Sequence, residues 1–260
     1  MLNLTTQEKW EKHYLENLEQ KTYWAEKEKY DRQYLQTILD HIFASYHFQA
    51  GDTFLEIGCG PMFLGQELAR RGLSVIGVDF SPAALEIAAK MFQASGLTNY
   101  QLIQSGLAQM PLPDNSVDFI YGGGVIEHFD NPRSIIKGMF RVIKNGGWAF
   151  NTVPQLNLSA LTYRQLWGNI PDFPVLKQLA ETVHINLLKG RLMRFGYELS
   201  FTKSKMRRLF SQAGFRRVEV TAFRCFLPFE YLPSEKLKKI ARRVAQTNLF
   251  NPMLLISAQK

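Results

Sequence analysis

Three places along this chain bring together residue types that can do chemistry. The first is Glu56-Ile57-Gly58-Cys59-Gly60, which closes the short apolar run TFLEI. Glycines let such a turn take positive φ and bring its backbone close to a ligand. The helix read from Phe63 onward then favours a carboxylate or phosphate at its N-terminus. A plain turn has the same appearance. The second is Asp79, which closes the run LSVIGVD, 19 residues beyond Gly60. A carboxylate there can accept from both hydroxyls of a ribose, as in dinucleotide sites, or simply cap a turn. The dinucleotide fingerprint G-x-G-x-x-G requires glycine at position 63, where this chain has Phe63. Nicotinamide-dependent hydride transfer is therefore disfavoured. The third is Glu127-His128-Phe129, after VDFIYGGG. Imidazole titrates near neutrality, so His128 is the candidate general base, with packing as its alternative role. Glu127 reads as a structural hydrogen-bonding residue. His13, His41, His47 and His184 show no metal-ligand spacing, so no metal is expected.

These residues need elements to hold them. Thr53–Ile57, Leu73–Asp79, Tyr100–Gln104, Val117–Tyr121 and Trp148–Val153 read as strands. Helices follow at Phe63–Arg71, at Ser81-Pro82 through about residue 94, and at Asn131-Pro132 through about 144. Repeated βα units predict a parallel sheet with helices on both faces, binding ligands beyond the carboxyl ends of its strands. Residues 1–50 carry apolar residues at three- and four-residue steps and read as a helical cap. Within it Tyr23, Trp24, Tyr30 and Tyr34 are core by spacing, or an aromatic lid. Residues 155–200 break the rhythm and read as an inserted cover with Trp167, Phe173, Phe195 and Tyr197 as apolar walls. A helix at Phe201–Ala213, a strand at Phe215–Phe223, a helix near Glu235–Ala245 and a strand at Met253–Ala258 complete the chain.

Composition narrows the classes. Hydrophobic residues at 46% and charged residues at 21% are ordinary for a globular chain and exclude wholesale disorder. No apolar run approaches the ~20 residues of a membrane span. The first residues, MLNLTTQEKWEKHYLE, are too polar and acidic for a signal or transit peptide. Cys59 and Cys225 cannot build a disulfide framework or a zinc cluster, so a reducing, cytoplasmic setting is expected. The net charge of +8 is unevenly placed. From Leu187 to Arg243 there are 15 Lys+Arg and 4 Asp+Glu, which leaves the rest of the chain at −3. Such a basic third suits an anionic partner, a membrane surface or a carrier, or is a solvated face.

The segments FLEIGCGPMFLG (54–65), VIGVDFSPAALEIA (75–88), MPLPDNSVDFIYGGGVIEHF (110–129) and RVIKNGGWAFNTVP (141–154) resemble, in order, the motifs of class I S-adenosylmethionine-dependent methyltransferases. Within these they look most like the broad family acting on small molecules, quinones and lipids. The resemblance covers about 53–154 and continues loosely through GFRRVEV (214–220). It implies a Rossmann-like doubly wound α/β sheet, mostly parallel with an antiparallel last strand. The N-terminal cap would span 1–50, the methyltransferase domain 51–260, and the substrate-covering insertion 155–200. It implies S-adenosylmethionine as cofactor. Glu56, Gly58 and Gly60 would surround its methionine part, Asp79 its ribose hydroxyls, and Phe80 and Ser81 its adenine. Gly122 and Gly123 would turn backbone carbonyls toward the sulfonium. Met62 replaces the third loop glycine, and Gly106 stands where an acidic residue commonly binds the adenine amino group. Adenine would then rest on backbone groups of Ser105, Gly106 and Leu107.

The expected reaction is in-line methyl transfer to an oxygen or nitrogen of a small molecule, with His128 as base for a hydroxyl. Two alternatives accompany it: a lipid or quinone enzyme at a membrane surface, and a non-catalytic binding subunit. A nucleic-acid acceptor is disfavoured, because GGGVIEH replaces the Asn/Asp-Pro-Pro-aromatic segment of DNA amino-methylating enzymes. The sequence leaves the oligomeric state open.

Overall fold

A computed structural model describes residues 7–17, 34–193, 196–224, 229 and 232–260. The expected Tyr23, Trp24, Tyr30, Phe195 and Cys225 lie outside the described residues. The cap contributes α1 (Gln7–Asn17) and α2 (34–45). The helical reading of 1–50 fails at its end. Residues 46–49 leave the helix, and Asp52 gathers the Tyr46 hydroxyl at 2.9 Å and the Gln49 N–H at 2.7 Å into a turn.

The alternation then runs β1 (Thr53–Ile57), α3 (Phe63–Arg70), β2 (Ser74–Asp79), α4 (Pro82–Ala94), β3 (Tyr100–Gln104), β4 (Val117–Gly123), α5 (Pro132–Val142) and β5 (Ile143–Pro154). Pro82 starts α4, and the Ser81 hydroxyl accepts from Ala84 N–H, so Ser81-Pro82 does cap a helix. β5 begins earlier than its apolar core suggests, because Ile143 already pairs with Val117.

After β5 come α6 (Leu158–Leu161), β6 (Ile170–Pro171), α7 (Pro174–Glu181), β7 (Leu199–Ser200), α8 (Lys203–Ala213), β8 (Arg216–Phe223), α9 (Glu235–Ala245) and β9 (Met253–Gln259). The main sheet has seven strands in the order β3-β2-β1-β4-β5-β9-β8. β1 to β5 pair in parallel, and β9 runs antiparallel to both of its neighbours. The order reverses between β1 and β4, which opens a crevice beyond their carboxyl ends.

Strand alternation divides the core in two. Leu55, Ile57, Ile120 and Ala149 join a cluster with α5 and α8. Phe54, Phe119, Tyr121 and Phe150 join one with α2, α3 and α4. Both faces being buried explains why these strands read as continuous apolar runs. The insertion is built differently. β6 and β7 form a two-stranded sheet, and α7 runs on into a π-helical turn at Thr182–Leu187. No helix of the described residues is long and apolar enough to cross a membrane.

Candidate functional site

A cavity of about 660 Å³ opens at the carboxyl ends of β1, β2 and β4, within the ~300–1,000 Å³ range of small-ligand sites. Of the expected residues, Gly58, Asp79, Phe80, Gly106, Leu107, Gly123 and His128 line it. A smaller space of about 160 Å³ lies beside it and shares Gly58 and Gly123; Glu56, Tyr34 and Tyr121 form part of its wall. Gly60, Ser81, Ser105 and Gly122 are not in either wall.

The loop after β1 takes a left-handed path, with φ of 56° at Gly58 and 50° at Gly60. A Cβ would meet Val125 at 2.7 Å from Gly58, and the Tyr14 hydroxyl at 2.7 Å from Gly60. Both sterics and φ therefore demand glycine. Met62 also takes φ 58°, at the N-cap of α3. The lost glycine does not push a side chain into the cavity. Met62 is fully buried and packs over Gly65 and Gly77, so burial offsets an unfavourable φ. At Gly106 a Cβ would meet nothing within 4 Å, so its missing carboxylate is not a matter of space.

Asp79 is buried, and its rotamer is set by backbone donors. Gly60 N–H gives to Oδ2 at 2.9 Å and Ser81 N–H to Oδ1 at 2.9 Å. Burial raises its pKa, the backbone donors oppose this, and the charge of Glu11 adds to the rise. Glu56 accepts from Gly65 N–H at 2.8 Å, and burial pushes its pKa up to about 8, with Asp79 adding to the shift. Gly122 has a packing role: a Cβ there would lie 2.6 Å from Asn151 Oδ1 and 2.9 Å from Ile57. Ser105 is half-buried, and its hydroxyl donates to Gly106 O at 3.1 Å.

The N-terminal helix closes one side of the cavity. Glu11 sits at the N-terminus of α4, where it takes the Ser81 hydroxyl and the Ala83 N–H, the latter at 3.2 Å. That latch brings Trp10 and Tyr14 into the wall. Neither was singled out from the sequence. A polar amphipathic segment ending well before the first strand carries no local signal of where it docks.

His128 lies opposite, in a single 3₁₀ turn after β4. Its Nδ1 is 2.7 Å from the carbonyl oxygen of Tyr197, and Trp10 meets the ring edge-on at 5.9 Å. A carbonyl can only accept, so Nδ1 carries the proton and the neutral ring has its lone pair on Nε2. The next residue back, Glu127, is buried, and its Oε2 has no hydrogen-bond partner among the described residues. Burial, then the charge of Glu198, hold its pKa well above the carboxylate range, while Arg164 pulls it down. Arg164 itself pairs with Glu198 at 2.5 Å, both nearly fully buried. The loop and the insertion are thus joined by the hydrogen bond of His128 to Tyr197, and Glu127 also feels the charge of Glu198. Tyr197 meets the site through its backbone, not as the expected apolar wall. Trp167 packs on Tyr163 at 6.2 Å and beneath Arg164 instead, and Phe173 is exposed.

Known proteins with matching sequence or shape show what this framework is similar to. Residues 55–151 match the family model described as Methyltransferase domain. Over that stretch the chain is similar to methyltransferase domains. The domain with its flanks is 30% identical over 172 residues to the ubiquinone biosynthesis O-methyltransferase of Cupriavidus pinatubonensis, covering 66% of this chain and 63% of that protein. It is 25% identical over 179 residues to the demethylmenaquinone methyltransferase of Oceanobacillus iheyensis, covering 67% and 74%. The chain spans about half to three-fifths of the length of the ubiquinone-type relatives that it matches. In shape, the methyltransferase framework resembles the Haemonchus contortus phosphoethanolamine N-methyltransferase 2 complexed with phosphomonomethylethanolamine and S-adenosylhomocysteine. The TM-score is 0.61 at 17% identity, over 86% of this chain and 52% of that one. The expected mostly parallel sheet with an antiparallel last strand is the fold that they share.

Proposed function

We propose that this chain is an S-adenosylmethionine-dependent methyltransferase that moves a methyl group to an oxygen or nitrogen of a small molecule by in-line displacement. The observation that carries the reading is the single cavity that gathers Gly58, Asp79, Phe80 and His128 at the β1–β4 reversal. The residues fit the cofactor. Asp79, preset by two backbone donors, would take the ribose hydroxyls. The left-handed loop of Glu56, Gly58 and Gly60 would surround the methionine part, with Gly123 turning its carbonyl to the sulfur. Phe80 would lie along the adenine, with Gly106 and Leu107 lending backbone groups. Ser81 supports this wall through Glu11, Ser105 through Asp79 O, and Gly122 through its packing.

Bound S-adenosylmethionine supplies a methyl already activated by a positive sulfur. The chain has then to align the acceptor, exclude water and, for a hydroxyl, hold its proton. Trp10 and Tyr14 cover the cavity, and the Tyr197 carbonyl keeps the lone pair of His128 on Nε2, ready for that proton. A quinone-type acceptor is the second reading, favoured by the names of the ubiquinone and demethylmenaquinone relatives.

Calorimetry with S-adenosylmethionine on the intact chain tests the reading. Binding is expected, weakened about a hundredfold or more by Asp79→Ala through the loss of hydrogen bonds to a charged group. No binding at millimolar cofactor would leave only a non-catalytic role. Labelled-methyl transfer to a catechol set beside an amine then separates oxygen from nitrogen acceptors.

A further inference from the structure

Outside the crevice, α9 stands apart. Only Ala245 of its 11 residues, EKLKKIARRVA, is buried. Leu237, Ile240 and Val244 are 46%, 49% and 40% exposed, and the i, i+3, i+7 spacing puts them on one stripe. Lys236, Lys239 and Arg243 are exposed and fall, at about 100° per residue, on the adjoining stripe. The one acid of the helix, Glu235, is paired with Lys238 at 2.9 Å, so it leaves those cations unopposed. Two further leucines are exposed beyond the helix. Leu249 is exposed, and its carbonyl accepts from the N–H of Leu158, itself exposed.

We infer that α9 is an in-plane anchor for an anionic lipid bilayer, with Leu237, Ile240 and Val244 entering the acyl boundary while Lys236, Lys239 and Arg243 meet the headgroups. A core-seeking helix would bury its leucine, and a merely solvated one would not carry three large aliphatics in register. A second copy of the chain would bring the same cations to the face and be repelled. A surface that is both negative and apolar at its boundary complements both stripes at once. The anchor also gives the basic third of the sequence a role separate from methyl transfer. Because lipid binding is read without cofactor or acceptor, its outcome is independent of the catalytic reading.

Co-sedimentation of the intact chain with phosphatidylcholine vesicles, with and without phosphatidylglycerol, tests it. Binding is expected only with phosphatidylglycerol and should weaken with salt. Lys236→Glu/Lys239→Glu/Arg243→Glu should lower the affinity about a hundredfold. Leu237→Ser/Ile240→Ser/Val244→Ser should lower it as well, both with unchanged melting because these side chains are exposed. As an independent readout, Leu237→Trp should add fluorescence that shifts to the blue on anionic vesicles only. Absent or equal binding to the two vesicle types would overturn the proposal. So would triple variants that bind like the parent, or a dimer in sedimentation velocity that these same substitutions dissociate.

Discussion

The crevice at β1–β4 and the insertion at 155–200 meet at His128, yet they are built by opposite means. The crevice is made of backbone: left-handed glycines, N–H groups aimed at Asp79 and a strand end at Gly123. The insertion rests on side chains: a buried Arg164–Glu198 pair beside Glu127, with leucines left exposed on its outside. A backbone-built site is stiff, because each donor belongs to a strand or helix that the core already fixes. A site held by buried charge depends on every partner, since removing one leaves the others desolvated and uncompensated. The crevice and the insertion can therefore be perturbed separately.

His128→Ala should have the largest effect, because it removes the group where both regions meet. Turnover on a hydroxyl acceptor is expected to fall about 10²–10⁴-fold with cofactor affinity nearly intact. Steady-state kinetics alongside calorimetry would show this, and unchanged turnover would take His128 out of the reaction. Arg164→Ala attacks the insertion alone. It should cost about 3–5 kcal/mol by stranding the buried Glu198, seen as a large drop in Tm. A small drop would mean that the insertion does not depend on its buried charges.

Glu56→Gln probes the crevice through pH. Its folded-state pKa is raised, to about 8 from an ordinary 4.5, so the protonated carboxyl is the form that the fold prefers. Its contribution is full below about pH 4.5 and is lost as the pH rises through about 8. The glutamine cannot ionise, so the variant should gain in Tm relative to the parent across that window and then level off. A pH-independent difference in thermal melts would contradict this. Smallest is Tyr34→Phe, which removes the hydroxyl bonded to Thr152 Oγ1 at 2.7 Å and to the Tyr121 hydroxyl at 3.1 Å. About 1 kcal/mol and a few degrees of Tm are expected.

Much of the framework was legible because its causes are local. Ser81-Pro82 caps a helix through atoms three residues away, and the glycine turn needs only its own φ. The apolar runs had to be strands of a doubly covered sheet. Phe173 and Trp167 misled because an aromatic near a site carries no record of which way its backbone turns it. Residues 46–49 misled because Asp52 takes the Gln49 N–H and the Tyr46 hydroxyl into a turn. Trp10 and Tyr14 gave no signal, since they reach the cavity only through the contact of Glu11 with α4.

By itself, then, the sequence determined the alternation of strands and helices, the turn that must be glycine, and the carboxylate at the end of β2, all from spacing and torsional preference. Tertiary structure alone decided that Met62 points into the core, that Tyr197 sets the His128 tautomer and that Glu127 is buried where the charges of Arg164 and Glu198 reach it. These contacts join residues far apart in the chain, and their strength comes from burial, a property no residue has until the whole fold has closed around it.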